Sequence, residues 1–159
     1  MNIASTFNYR NAWEIIQARH IDEYQDIQNI LNDDRFHLEE NASGNNNFSR
    51  QIQSRFQDLN NNWDLEFPCY SANELAYDLH KNGLPIEVEI GHQRLVYADF
   101  FKFLSDYSNG RIHAAIMIVT DNPMDFGHNW HCSVASTKRK IESMSHVYLV
   151  PTLLIGINR

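Results

Sequence analysis

Only two cysteines stand in this chain, Cys69 and Cys132, and they form no CxxC motif. That spacing excludes a disulfide framework and a cysteine-based zinc module, and it fits reduced thiols in a cytosolic protein. Long apolar runs are also missing. None approaches the ~18 residues of a membrane span, and the opening Met1 to Phe7 has neither the basic stretch nor the apolar centre of a secretion signal. The chain is therefore expected to be soluble and cytoplasmic. Basic residues are outnumbered, 13 Lys and Arg against 20 Asp and Glu, for a net charge of −7. This excludes a broadly basic protein that coats nucleic acid. It leaves room for a carboxylate-rich metal site, because carboxylates that hold a cation count as negative in the formal sum. Repeats are absent, and low complexity is confined to clusters of Asn. What is present, 159 residues with 43% apolar content, suffices for a single domain around one core.

The most informative stretch is Leu75 to Gly91. Asn82-Gly83 is the strongest short hairpin signal, since a type I′ turn needs positive φ at both central residues. A two-residue loop pairs Lys81 with Leu84, His80 with Pro85, Leu79 with Ile86 and Asp78 with Glu87. Opposed residues share a face of the sheet, and Glu89 joins them two residues on. Ile86, Val88 and Ile90 take the other face, towards a core. The alternation makes His80–Pro85 a non-hydrogen-bonded pair, so the missing N–H of Pro85 costs the ladder nothing. Asp78–Glu87 is then also non-hydrogen-bonded, with Cα atoms about 4.5 Å apart. Opposed carboxylates repel. A shared proton with one strongly raised pKa would relieve them; a hard divalent cation would do so better. The competing reading is an acidic, solvated sheet edge.

The remaining chain orders itself around that hairpin. Residues 11–20 and 21–31 have helical apolar spacing, the second with Ile21, Tyr24, Ile27, Ile30 and Leu31 as a stripe. Residues 32–47 are polar and end in an Asn-rich run, a loop. Residues 48–59 form a helix with Phe48, Ile52, Phe56 and Leu59 on one side; Arg50 and Arg55 fall elsewhere, as surface charges or phosphate contacts. Asn60 to Asn62 stops it. Residues 65–70 fit a short strand interrupted by Pro68. Residues 96–107 form a helix that is apolar over more than one face, ended by Asn109-Gly110. Residues 112–119 are almost continuously apolar, as in a strand buried on both faces after a crossover. Residues 120–131 form a loop, 133–144 a helix carrying Lys138-Arg139-Lys140, and 147–157 the last strand. This is an α/β order.

Asp78, eight residues, then Glu87-Val88-Glu89 resembles the core of the PD-(D/E)xK nucleases, and more narrowly the BglII/BstYI group of type II restriction endonucleases. Asn11 to Gln17 and Tyr24 to Leu31 resemble the group's N-terminal helical pair. Ile86 to Gly91 with Asp99-Phe100-Phe101 resembles its metal strand and following helix, and Leu153 to Ile157 its last strand. The wider family has Lys where this chain has Glu89; the group has Gln there, and a fold relative has Glu. The resemblance implies a mixed central sheet flanked by helices, in one domain over 1–159, with N-terminal helices at 11–59 and a catalytic sheet core at 66–159.

It further implies Mg²⁺-dependent hydrolysis of a short palindromic, GATC-centred site in double-stranded DNA. The products would carry 5′-phosphate and 3′-hydroxyl ends. Asp78 and Glu87 would hold the ion, Glu14 would add a helix carboxylate, and Glu89 would orient or deprotonate the attacking water, with room for a second ion. His92, Gln93 and Arg94 directly follow the metal strand, and Gln and Arg suit adenine and guanine in the major groove; the plain alternative is a set of surface residues before a helix. The resemblance also places recognition near His128, Asn129 and His131. A zinc reading of His128 to Cys132 lacks the spacing of a known module. Lys138 is a solvated charge or a phosphate contact. The group's mode of assembly implies a homodimer through 96–107 and 133–144, in a prokaryotic cytoplasm, with a cognate DNA methyltransferase encoded nearby. Two rival functions stay open: a repair or recombination nuclease of the same fold, and a catalytically silent DNA-binding domain.

Overall fold

A computed structural model of the chain describes residues 1–40, 47–58 and 62–159. The Asn-rich run at 41–46, with Leu59 and the proposed stop at 60–61, lies outside the described residues. Six strands form one sheet: β1 (Asn2–Tyr9), β2 (Asp64–Pro68), β3 (Ala76–Lys81), β4 (Leu84–Val88), β5 (Ala115–Thr120) and β6 (Thr152–Asn158), in spatial order β1-β6-β5-β4-β3-β2. β4, β5 and β6 run parallel; the other neighbours are antiparallel. The helices are α1 (Ala12–Arg19), α2 (Ile21–Leu31), α3 (Phe48–Asp58), α4 (Val96–Ser108) and α5 (Val134–Ser143). The architecture is the expected α/β one, a mixed sheet with helices on both faces.

The two sheet faces carry separate apolar cores. Alternation in β5 sends Ile116 and Ile118 to one side and Ala115, Met117 and Val119 to the other. This explains the unbroken apolar run: a central strand buried on both faces has no polar side to show. The first core joins Ile86, Val88 and Ile90 to α1, α2 and α3 through residues such as Ile16, Ile27 and Ile52. The second lies under α4 and α5, around Phe100, Phe103 and Ile141.

The hairpin turns at Asn82 (φ 51°) and Gly83 (φ 84°). Its pairs are Lys81–Leu84, His80–Pro85 and Leu79–Ile86, the counted register. The ladder ends there. Asp78 and Glu87 do not continue it, because the Asp78 carboxylate accepts a hydrogen bond from the Val88 N–H at 2.8 Å. Tyr77 then packs in the second core while Leu79 packs in the first, so β3 changes face at Asp78.

Several boundaries differ from the sequence expectation. The strand expected over 112–119 begins at Ala115, and the one expected over 147–157 begins at Thr152. Ile112, Tyr148 and Val150 are buried all the same, but in the second core from irregular backbone, which apolarity alone does not distinguish from a strand. The loop at 120–131 holds a 3₁₀ turn, Pro123–Phe126, capped by the Asn122 side chain. β1 was not expected at all. It is an edge strand with a register shift between Ile3 and Ser5, so that half-buried Ile3 packs on the first core and half-buried Phe7 and Tyr9 on the second.

Candidate active site

Asp78 stands where β3 changes face, and Glu87 follows from β4. Glu87 is 2% exposed. The acidic face is therefore no solvated edge: α4 lies across it. α4 brings two partners that the sequence reading did not assign. Lys102 sets its ammonium 2.5 Å from Glu87 Oε1 and 3.0 Å from Asp99 Oδ1. The same ammonium donates to the Ala76 carbonyl of β3 at 3.1 Å. Glu89, just past the end of β4, turns back so that Oε1 accepts from the Gly91 N–H at 2.7 Å.

The electrostatics of this cluster are strained. Burial, then Asp99 and Asp78, push the Glu87 carboxyl well above the usual range, against the pull of Lys102. Burial, with Asp99 and Asp78, raises Glu89 to about 7. Burial raises Asp99 too, although Lys102 opposes it. Burial alone would depress Lys102, but Glu87 and Asp99 hold it above its ordinary value. Asp99 Oδ2 is buried and lacks a hydrogen-bond partner among the described residues. One ammonium thus pairs with two of four neighbouring carboxylates, Glu87 and Asp99. A hard divalent cation with oxygen ligands is what such a donor set lacks, and the residues present fit one. Among the described residues no three acidic, His or Cys side chains converge closely enough to ligate an ion together. Asp78 and Glu89 are turned to backbone N–H groups and Glu87 to Lys102.

Asp99 and Lys102 had a signal in the sequence. The stripe Val96, Phe100 and Phe103 is the buried side of α4, and Asp99 and Asp106 are buried with it. Charged residues inside an apolar helical stripe need buried partners, and here they find them. Glu14 is not brought to the cluster. α1 packs near β1 and β6, and the Glu14 carboxylate accepts from the Asn8 side chain of β1 at 2.9 Å.

Beyond Glu89 the chain forms a small ribbon. His92 and His131 bridge antiparallel, the Gln93 N–H donates to the Trp130 carbonyl, and the Cys132 N–H to the Gly91 carbonyl. Trp130 stacks against His128 at 4.8 Å, His131 at 4.3 Å and His92 at 5.5 Å. The His131 ring also bonds the Ile90 carbonyl. His92, Arg94, His128 and Asn129 are exposed on this ribbon, at the rim of the carboxylate cluster. Lys140, not Lys138, reaches it, donating to the Gln93 side chain at 3.3 Å. Lys138 lies on the β1 side, 4.9 Å over the Phe7 ring and 3.8 Å from Glu142. Cys132 is buried against Thr137.

The chain matches the family described as restriction endonuclease BglII/BglIII over residues 4–157. Among solved structures it is similar to the restriction endonuclease BglII complexed with a DNA 16-mer, with a TM-score of 0.73 and 16% identity. That match covers 100% of this chain and 79% of the other. No curated protein matches by sequence.

Proposed function

Because the chain belongs to the BglII/BglIII restriction endonuclease family, whose members are type II site-specific deoxyribonucleases, we propose that it uses Mg²⁺ to cut a short palindromic site. The observation that supports this most is the pairing of buried Glu87 and Asp99 with a single lysine at the carboxyl end of β4, with the half-buried Asp78 and Glu89 beside them. Asp78 and Glu87 would hold the ion, with Asp99 on α4 in the place first given to Glu14. Bound there, Mg²⁺ would screen the phosphodiester charge and acidify the attacking water. Glu89, at the open end of the strand, orients that water or takes its proton. The ribbon of His92, Gln93, Arg94, His128, Asn129 and His131, of which Gln93 and His131 are half-buried and the rest exposed, lies where a duplex seated on the cluster would offer its bases, and Lys140 stands beside it as a phosphate contact.

Two-fold symmetry of a palindrome asks for a homodimer. The proposed setting is a prokaryotic cytoplasm, with a methyltransferase gene nearby that protects the same site, centred on GATC. Buried, unbridged Cys69 and Cys132 are compatible with that compartment, and no helix among the described residues is long and apolar enough to cross a membrane. The test is incubation of plasmid DNA with Mg²⁺. Discrete fragments are expected, lost when GATC is absent from the plasmid. Asp78→Asn or Glu87→Gln should abolish cutting while the fold persists, and full activity in either variant would remove these residues from the site. Unspecific degradation would instead point to a repair nuclease, and binding without cutting to a silent DNA-binding domain.

A further inference from the structure

Lys102 is the one feature of the cluster that the proposed reaction leaves without a task. Its side chain is 12% exposed, and its ammonium meets three acceptors: Glu87, Asp99 and the Ala76 carbonyl. One contact is a hydrogen bond, to the Ala76 carbonyl, and two are ion pairs, to Glu87 and Asp99, so the group is tied to β3, β4 and α4 together. A buried lysine held in this way costs desolvation that only close anionic partners offset. The same contact occupies Glu87, while Asp78 and Glu89 accept from backbone N–H groups. The focal point between Glu87 and Asp99 already contains a cation.

We propose that Lys102 is a built-in counter-cation that holds the carboxylate cluster together in the metal-free protein and that a divalent ion must displace from Glu87. This rests on the metal-site reading above. Two positive charges cannot share the buried Glu87 carboxylate without mutual repulsion, which is poorly screened at a buried position. The ammonium has a retreat, because Asp99 and the Ala76 carbonyl remain when Glu87 is given up. The lysine therefore sets how tightly the ion is held, and it keeps the empty site from opening under its own charge.

Calcium is the probe, titrated by calorimetry into the full chain without DNA. Lys102→Met should bind Ca²⁺ about tenfold or more tightly than the parent, while its metal-free melting temperature falls and its Ca²⁺-saturated one falls less. Lys102→Arg, which keeps the charge, should bind no more tightly than the parent. Glu87→Gln should remove the binding and so locate it. In the parent, the ¹⁵N resonance of the Lys102 ammonium should move when Ca²⁺ saturates the site. That measurement needs no variant to fold, and it separates displacement from mere attraction of calcium to a more acidic site. Equal or weaker Ca²⁺ binding by a folded Lys102→Met, or an ammonium resonance that stays put at saturation, overturns this proposal alone. Absence of Ca²⁺ binding in both parent and Lys102→Met overturns the metal-site reading and this proposal with it.

Discussion

Glu89, which the resemblance sets where the wider nuclease family has a lysine, meets opposite demands from its environment and its proposed role. Burial and the neighbouring Asp99 and Asp78 raise its carboxyl to about 7, yet the proposed water handling needs it ionised. Glu89→Lys should therefore lose activity by orders of magnitude, because an ammonium would stand beside a site built with one more negative charge. Glu89→Gln should keep some, since an amide oxygen can still ligate. Single-turnover cleavage of supercoiled plasmid across Mg²⁺ concentrations measures both, and a Glu89→Lys chain that cuts like the parent would reduce the set to Asp78 and Glu87. The same shift has a consequence for stability. A carboxyl raised on folding binds its proton better in the folded state, so its contribution is present at low pH and is lost as pH rises from 4.5 to about 7. The loss amounts to up to about 3 kcal/mol. His20 and His80 act in the other direction: burial lowers both, and their contribution disappears as pH falls through the ordinary histidine range. The comparison must therefore be with Glu89→Gln, whose metal-free melting temperature should fall less than the parent's between pH 5 and 8. Identical slopes would contradict the assigned shift.

At the scale of elements, the site depends on how α4 is locked to β3. Asp106, fully buried, accepts from the Tyr70 N–H at 2.9 Å, the Ser71 N–H at 2.6 Å and the Tyr77 hydroxyl at 2.7 Å. Asp106→Ala would leave these three donors unpaired, at a cost of about 3 kcal/mol or more. Urea unfolding should show that loss, and DNA cleavage should fall with it because Lys102 sits one helical turn away; a change under 1 kcal/mol would mean that water replaces the carboxylate at about no cost. This lock also marks the limit of what the sequence discloses. The hairpin was legible because its information is local: Asn82-Gly83 fixes the turn, and alternation fixes which side each residue takes. Lys102 and Asp99 were legible only as anomalies on an apolar helix, since their partners lie on other elements. β1 was not legible, because its exposed residues Asn2, Ala4, Thr6 and Asn8 are polar or small, its half-buried ones include Ser5, and a register shift between Ile3 and Ser5 divides them between two faces. Its pairing with β6 is a tertiary choice, as is the late start of β5 and β6.

At the scale of the whole molecule, α4 has a second side. Tyr97 is 50% and Phe101 58% exposed, one turn apart. Exposed Val147 and Leu149 flank Tyr148, whose ring meets Phe100 of the same helix at 4.8 Å. Aromatic surface of this kind, next to a site proposed to read a two-fold sequence, suits a second copy of the chain. Light scattering should give about twice the chain mass of 18.6 kDa. Phe101→Asp should halve that value and abolish paired cuts while calcium binding survives; a strict monomer with and without DNA would contradict the arrangement. The sheet itself has a further consequence, which lies in its order of manufacture. β1, the earliest-made strand, pairs only with β6, the latest, with Asn2 opposite Asn158. On the ribosome the hairpin, α4 and β5 are finished before Leu154 and Tyr148, the partners of Phe7 and Tyr9, have been made. The carboxylate cluster can thus assemble in a nascent chain whose sheet is not yet closed, and the first strand to emerge is the one a chaperone would meet for longest.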